Sequence, residues 1–111
     1  MRLREPPEPS CLEIEAGEEG DTYIVRLRGE LDLSGCDSVE AALMQAEDSG
    51  ARKILVDLDQ LSYIDSTGLR VLARAARRAD SDGDRLRMTR AAGQVAEIFR
   101  LTTLDQILPF A

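Results

Sequence analysis

The 111 residues, 43 % of them apolar, are enough for one small domain around a single core and too few for two. A formal charge of −7 has the wrong sign for a phosphate-backbone binder, and two tyrosines, two phenylalanines and no tryptophan offer little for stacking on bases, so no nucleic-acid partner is expected. The absence of histidine excludes it as base, phospho-carrier or metal ligand, and no run approaches the ~18 apolar residues of a membrane span, so no direct membrane insertion is expected either.

Residues 1–10 carry Pro6, Pro7 and Pro9 among charges and no apolar stretch. They read as a flexible tail rather than a secretory signal, with the folded domain over 11–111. Cys11–Ala16 alternates, with Leu12, Ile14 and Ala16 on one face, and Thr22–Gly29 alternates again on Tyr23, Val25 and Leu27. The short Gly-bearing turn between them predicts a hairpin. Asp37–Ser49 places Val39, Ala42, Leu43 and Ala46 at helical spacing, with Asp37 or Ser34 to cap its start and Gly50 to end it. Ser34 and Ser38 read as cap and first-turn residues of that helix.

Lys53–Leu58 is the next strand, Thr67–Arg78 the next helix, Asp80–Asp84 a turn, Arg85–Thr89 a strand and Ala91–Leu101 a helix. Thr103–Phe110 offers a last short helical turn to seal the core. The order ββαβαβα requires the strands separated by single helices to run parallel. Because the strands alternate instead of forming continuous apolar runs, helices should cover mainly one face of the sheet. The other face, with Arg26, Arg28, Lys53, Asp57, Arg85 and Arg87, should be wet.

Enzymatic signatures fail. Neither Gly-rich phosphate loop is present. The stretch Ile64-Asp65-Ser66-Thr67-Gly68 lacks the first glycine of a nucleophile elbow. The only lysine, Lys53, sits at the wrong end of its strand to activate Ser66. The run Asp80-Ser81-Asp82-Gly83-Asp84 has its glycine at the fourth position, not the sixth, and reads as a solvated turn rather than a calcium loop. Asp57 and Asp59 read as a strand end turning into solvent rather than a magnesium site. Cys11 and Cys36 read as free thiols of a cytoplasmic protein. No cofactor or metal is expected.

The informative stretch is Leu58 to Leu69. A strand should end at Leu58, a short loop should follow with Ser62 and Tyr63 as loop and packing residues, and a helix should begin at Ser66 or Thr67. Ser66 then sits at a helix N-terminus beyond the carboxyl end of a parallel strand, a favoured place for ligands and modifications. Asp65, Ser66 or Thr67 could each be a plain N-cap, but three polar residues exceed what one cap requires. Gly68 costs helix propensity and suggests close approach by another chain. Arg70, Arg74, Arg77 and Arg78 form a stripe that is either a solvated face or, at Arg70 and Arg74, a surface for acids on a partner.

Asp65-Ser66-Thr67-Gly68-Leu69 after an apolar strand, Gly29-Glu30-Leu31-Asp32 after the second strand, and the ending Ile98–Leu104 together resemble the STAS domain. The likeness covers about residues 11–110 and is greatest to the free-standing anti-sigma factor antagonists of bacteria. It implies an α/β fold with a mixed sheet of four to five strands. It also implies a binding protein, not an enzyme. The unphosphorylated form would capture an anti-sigma factor that is itself a serine kinase and so release a sigma factor. Phosphorylation at Ser66, with Thr67 as second choice, would switch it off, and a PP2C-type serine phosphatase would reset it. The implied partner-binding residues are Asp32, Asp65, Ser66, Thr67, Gly68, Arg70 and Arg74. The competing reading is a STAS interaction subunit without a phospho-switch, in a signalling scaffold or lipid-transport complex. The wet sheet face and an exposed strand edge permit a homodimer.

Overall fold

Alternation of apolar residues builds the predicted hairpin: β1 (Leu12–Glu19) runs antiparallel to β2 (Thr22–Leu31), turning through Gly20 at φ +62°. The computed structural model describes residues 12–81, 83 and 85–110. The expected tail, Cys11 and two residues of the Asp80–Asp84 turn lie outside them. After β2 come α1 (Leu33–Asp48), β3 (Lys53–Ile64), α2 (Ser66–Asp80), β4 (Leu86–Met88), α3 (Gly93–Leu101) and a 3-10 turn (Leu104–Gln106). The sheet order is β1-β2-β3-β4, with β2, β3 and β4 parallel. It is a four-stranded mixed sheet, as expected.

One sheet face joins the buried sides of the three helices in a single core. Val25 and Leu27 of β2, Val56 and Leu58 of β3, Leu72 of α2 and Phe99 of α3 are each at most 2 % exposed. The other face carries half-buried charge, with Arg26 paired to Asp57 at 3.2 Å and Arg28 to Glu15 at 3.0 Å. The alternation therefore reports correctly that the helices lie mainly on one side.

Two boundaries depart from expectation. β3 does not stop at Leu58 but continues to Ile64 through two register shifts against β2, so its buried residues fall at 54, 56, 58, 61 and 64. Each shift inserts one residue and changes the period from two to three. Ser62 is therefore a strand residue, donating its hydroxyl to the Gly29 carbonyl at 3.0 Å. Asp57 is not turning into solvent: it accepts from the Arg26 guanidinium and from the Asp59 amide. Helix α1 starts four residues before Asp37, capped by Asp32 rather than by Ser34 or Asp37. Arg78 leaves the arginine stripe to bond Glu47 and Glu40 of α1, clamping the two helices together.

The segment after α3 closes the sheet. The Met88 amide donates to the Pro109 carbonyl at 2.9 Å, and Phe110 packs on Phe99 with ring centroids 5.7 Å apart. Its entry is strained: Thr103, a β-branched residue, takes a left-handed conformation at φ +61°, where a glycine commonly stands after a helix. Replacing Thr103 by glycine trades that strain against extra freedom in the unfolded chain. It is expected to raise stability by about 0.5–1 kcal/mol, or about 2–5 °C in melting temperature by calorimetry.

Candidate functional site

β2 and β3 are parallel neighbours whose last residues, Leu31 and Ile64, stand in register. Each is followed at once by a helix, so two helix N-termini emerge side by side from one end of the sheet. The junctions share a five-residue pattern: Leu31-Asp32-Leu33-Ser34-Gly35 and Ile64-Asp65-Ser66-Thr67-Gly68.

The shared pattern has a shared geometry. Asp32 (φ −125°, ψ −170°) and Asp65 (φ −107°, ψ −175°) are extended N-caps. The Asp32 carboxylate accepts from the Ser34 amide at 3.0 Å and the Ser34 hydroxyl at 2.6 Å. The Asp65 carboxylate accepts from the Gly68 amide at 3.0 Å and the Thr67 hydroxyl at 2.5 Å. Each satisfies first-turn donors that would otherwise lack a partner. The junctions also bond to each other, the Asp65 amide donating to the Leu31 carbonyl at 3.2 Å.

Of the three polar candidates, Asp65 is the cap, Thr67 is half-buried and tied to it, and Ser66 is the first helical residue, exposed. No hydrogen bond engages the Ser66 hydroxyl among the described residues. Gly68 does not serve the approach of another chain, which corrects that expectation. It is buried, and a Cβ there would lie 2.8 Å from Leu31 Cγ and from Ile64 Cγ1. The close approach is to its own sheet. Arg70 and Arg74 follow Ser66 by one and two helical turns, exposed and without an ion pair among the described residues. Sequence reasoning missed Leu33, 71 % exposed beside this site, and read Ser34 as a cap without seeing that it is the counterpart of Thr67. The repeated apolar-Asp-x-hydroxyl-Gly pattern was the signal that could have found them.

The Thr67 hydroxyl first, then the Gly68 amide, hold the Asp65 carboxyl below its ordinary value of 3.8, with a smaller contribution from the Leu33 amide facing it and with desolvation opposing. A depressed folded-state pKa means that this carboxylate stabilises the fold above its unfolded pKa and that the contribution is lost as pH falls through the lower folded value. Asp65→Asn keeps a capping side chain but no charge. Its stability deficit at pH 7 should shrink as pH drops below 3.8, the two proteins converging in acid; denaturant titrations at pH 7 and in acid check this.

No helix among the described residues is long and apolar enough to cross a membrane, and none of their acidic, cysteine or histidine groups cluster as a metal site. A family model described as Mlab, STAS domain, matches residues 14–109. The anti-sigma-B factor antagonist of Staphylococcus aureus (strain NCTC 8325 / PS 47) is 28 % identical over 97 residues, covering 87 % of this chain and 90 % of that one. An anti-sigma factor antagonist from Mycobacterium paratuberculosis has the same fold, with TM-score 0.77 at 20 % identity over 96 % of this chain and 89 % of that one. So does the anti-sigma factor antagonist SpoIIAA in its unphosphorylated form, with TM-score 0.73 at 23 % identity over 89 % and 88 %. Its phosphorylated form gives 0.67 at 22 % identity over 89 % and 91 %. Matched from the first strand to the segment that closes the sheet, this chain belongs to the STAS domain family.

Proposed function

We propose that this STAS domain is an anti-sigma factor antagonist that docks through its twin helix N-termini and is switched by phosphorylation at Ser66. The contrast between two adjacent hydroxyls carries the reading of the switch. Ser66 is exposed at the first position of α2 with its hydroxyl unbonded among the described residues, whereas Thr67 spends its hydroxyl on the cap. A kinase needs a serine that can leave its own surface, and Ser66 meets that condition without breaking a hydrogen bond. The relative in Staphylococcus aureus supports the antagonist role.

In this reading the chain is substrate and binding partner, not enzyme. The anti-sigma factor is the kinase, a PP2C-type phosphatase restores the hydroxyl, and the whole cycle is cytoplasmic. Asp65 and Asp32 hold the two helix starts in place for docking. Arg70 and Arg74 offer cations to acidic groups on the partner.

The test is capture from the native cytosol by Ser66→Ala and by Ser66→Glu, with bound proteins identified by mass. Retention of a small ATPase-type anti-sigma kinase by Ser66→Ala alone is the expected result. Identical sets on both variants would overturn the switch and leave Ser66 as the first residue of a helix in a constitutive interaction module.

A further inference from the structure

The two βα junctions assign a task to every position of their shared pattern except one. Leu31 and Ile64 are in the core, at 0 % and 2 % exposure. Asp32 and Asp65 cap, Ser34 and Thr67 bond the caps, and Gly35 and Gly68 are buried where each helix meets the sheet. The remaining position is the first helical residue, Leu33 in one junction and Ser66 in the other, and both point out. Leu33 is 71 % exposed, above any other large apolar side chain among the described residues.

No packing among the described residues accounts for a leucine there. The apolar staple of α1 is made by its flanking positions, buried Leu31 before the cap and buried Cys36 at the fourth helical residue. The helix buries Val39, Leu43 and Ala46 on its inner stripe and does not use Leu33. The Asp65 cap bonds back to Leu31, so Leu33 and Ser66 share one rim at the end of the sheet. Beyond Ser66 on that surface lie Arg70 and Arg74, cations without an ion pair among the described residues.

We infer that Leu33 is the apolar anchor of the docking surface, seated in an apolar socket of the anti-sigma factor whose rim is acidic. This rests on the antagonist reading above and specifies how its partner recognises the site. The occupant's chemistry follows from what the surface presents: a leucine to be desolvated, a small hydroxyl beside it, and two arginines one and two turns away that seek carboxylates. The same arrangement gives the switch its sign. Carboxylates placed to meet Arg70 and Arg74 would face a dianion on Ser66, and the leucine beside it could no longer be buried without desolvating that charge.

The test measures affinity for the anti-sigma factor captured by Ser66→Ala, using the full chain with Leu33→Gln and Leu33→Met. Leu33→Gln keeps the bulk and loses the apolar surface, and should weaken binding at least tenfold, in line with about 25 cal/mol per Å² of apolar area buried. Leu33→Met should bind within about threefold of the wild type, since it stays apolar at similar volume. Both should melt within about 2 °C of the wild type, as exposed substitutions do. Binding of Leu33→Gln within threefold of the wild type would overturn the anchor and leave the antagonist reading intact. A fall in its melting temperature that accounts for the lost binding would overturn it too, assigning Leu33 to the fold. If Ser66→Ala and Ser66→Glu capture the same proteins, the switched surface fails, and the anchor with it.

Discussion

Replacing Gly68 by valine is expected to lower the melting temperature by more than about 10 °C, while Gly35→Ala changes it by only a few degrees. The two glycines hold the same place in the repeated junction, and a Cβ at either would approach a neighbour to 2.8 Å. What differs is the neighbour. At Gly35 it is Leu12 Cδ2, the far end of a flexible side chain on the edge strand, and the next contacts are at 3.7 Å. At Gly68 it is Leu31 Cγ and Ile64 Cγ1, with Leu31 Cδ2 at 3.1 Å. These are inner carbons of side chains buried to 0 % and 2 % exposure on two bonded strands, so neither can swing aside.

Overpacking a rigid core costs about 1–3 kcal/mol and occasionally more. The helix propensity gained on leaving glycine is about 1 kcal/mol for alanine and less for a β-branched residue. Gly68→Ala should therefore be a partial case and Gly68→Val the severe one, because its extra methyls enter the same crowded space. Thermal melts of Gly35→Ala, Gly68→Ala and Gly68→Val check the order. Equal losses at Gly35 and Gly68 would mean that the helix start, rather than the neighbour, sets the cost.

How far the sequence shows this structure depends on whether a segment keeps one period. The hairpin, the inner stripe of α1 and the strand from Lys53 to Leu58 were all legible, because each repeats at two or at three to four. β3 beyond Leu58 was not. Its two register shifts space the buried Leu58, Leu61 and Ile64 three apart, which reads as neither a strand nor a long helix. The start of α1 was read four residues late, because Ser34 and Asp37 are as suitable by type to cap a helix as Asp32 is. Gly68 looked like a contact surface because its cost in helix propensity has no local explanation. A glycine's cost is visible in a sequence, whereas the atoms that justify it come from strands elsewhere in the chain.

The candidate site was legible through the Asp-Ser-Thr-Gly-Leu motif and not through chemistry alone. The family likeness ranked Ser66 ahead of Thr67, whereas residue chemistry alone did not, because only the fold shows Thr67 bonded to its cap. Leu33 escaped notice because it lies before the helix start expected at Asp37, and its outward place follows only from α1 beginning there.

Phosphorylation of Ser66 is expected to cost the complex a factor of about 10²–10³ in affinity, or about 3–4 kcal/mol, while leaving the free domain folded. The phosphate adds about −1.5 to −2 charge at the first position of α2. There it meets the positive end of the helix, which favours it, and the Asp65 carboxylate, which repels it. Asp65 is held ionised by Thr67 and Gly68, so this repulsion persists at neutral pH. Ser66 is exposed and its hydroxyl is bonded to none of the described residues, so water solvates the new charge and no packing is lost. The two local effects oppose each other, and the melting temperature should fall by no more than about 8 °C, equivalent to ~1–2 kcal/mol in a domain of this size. In the complex water is excluded, and an unpaired dianion in place of a small hydroxyl is expensive. Ser66→Glu carries one charge and should lose less, at least about tenfold. Calorimetry of the phosphorylated chain, with and without the anti-sigma factor, separates the two terms. A larger fall in melting temperature would place the switch in the fold, and an unchanged affinity would remove it from Ser66.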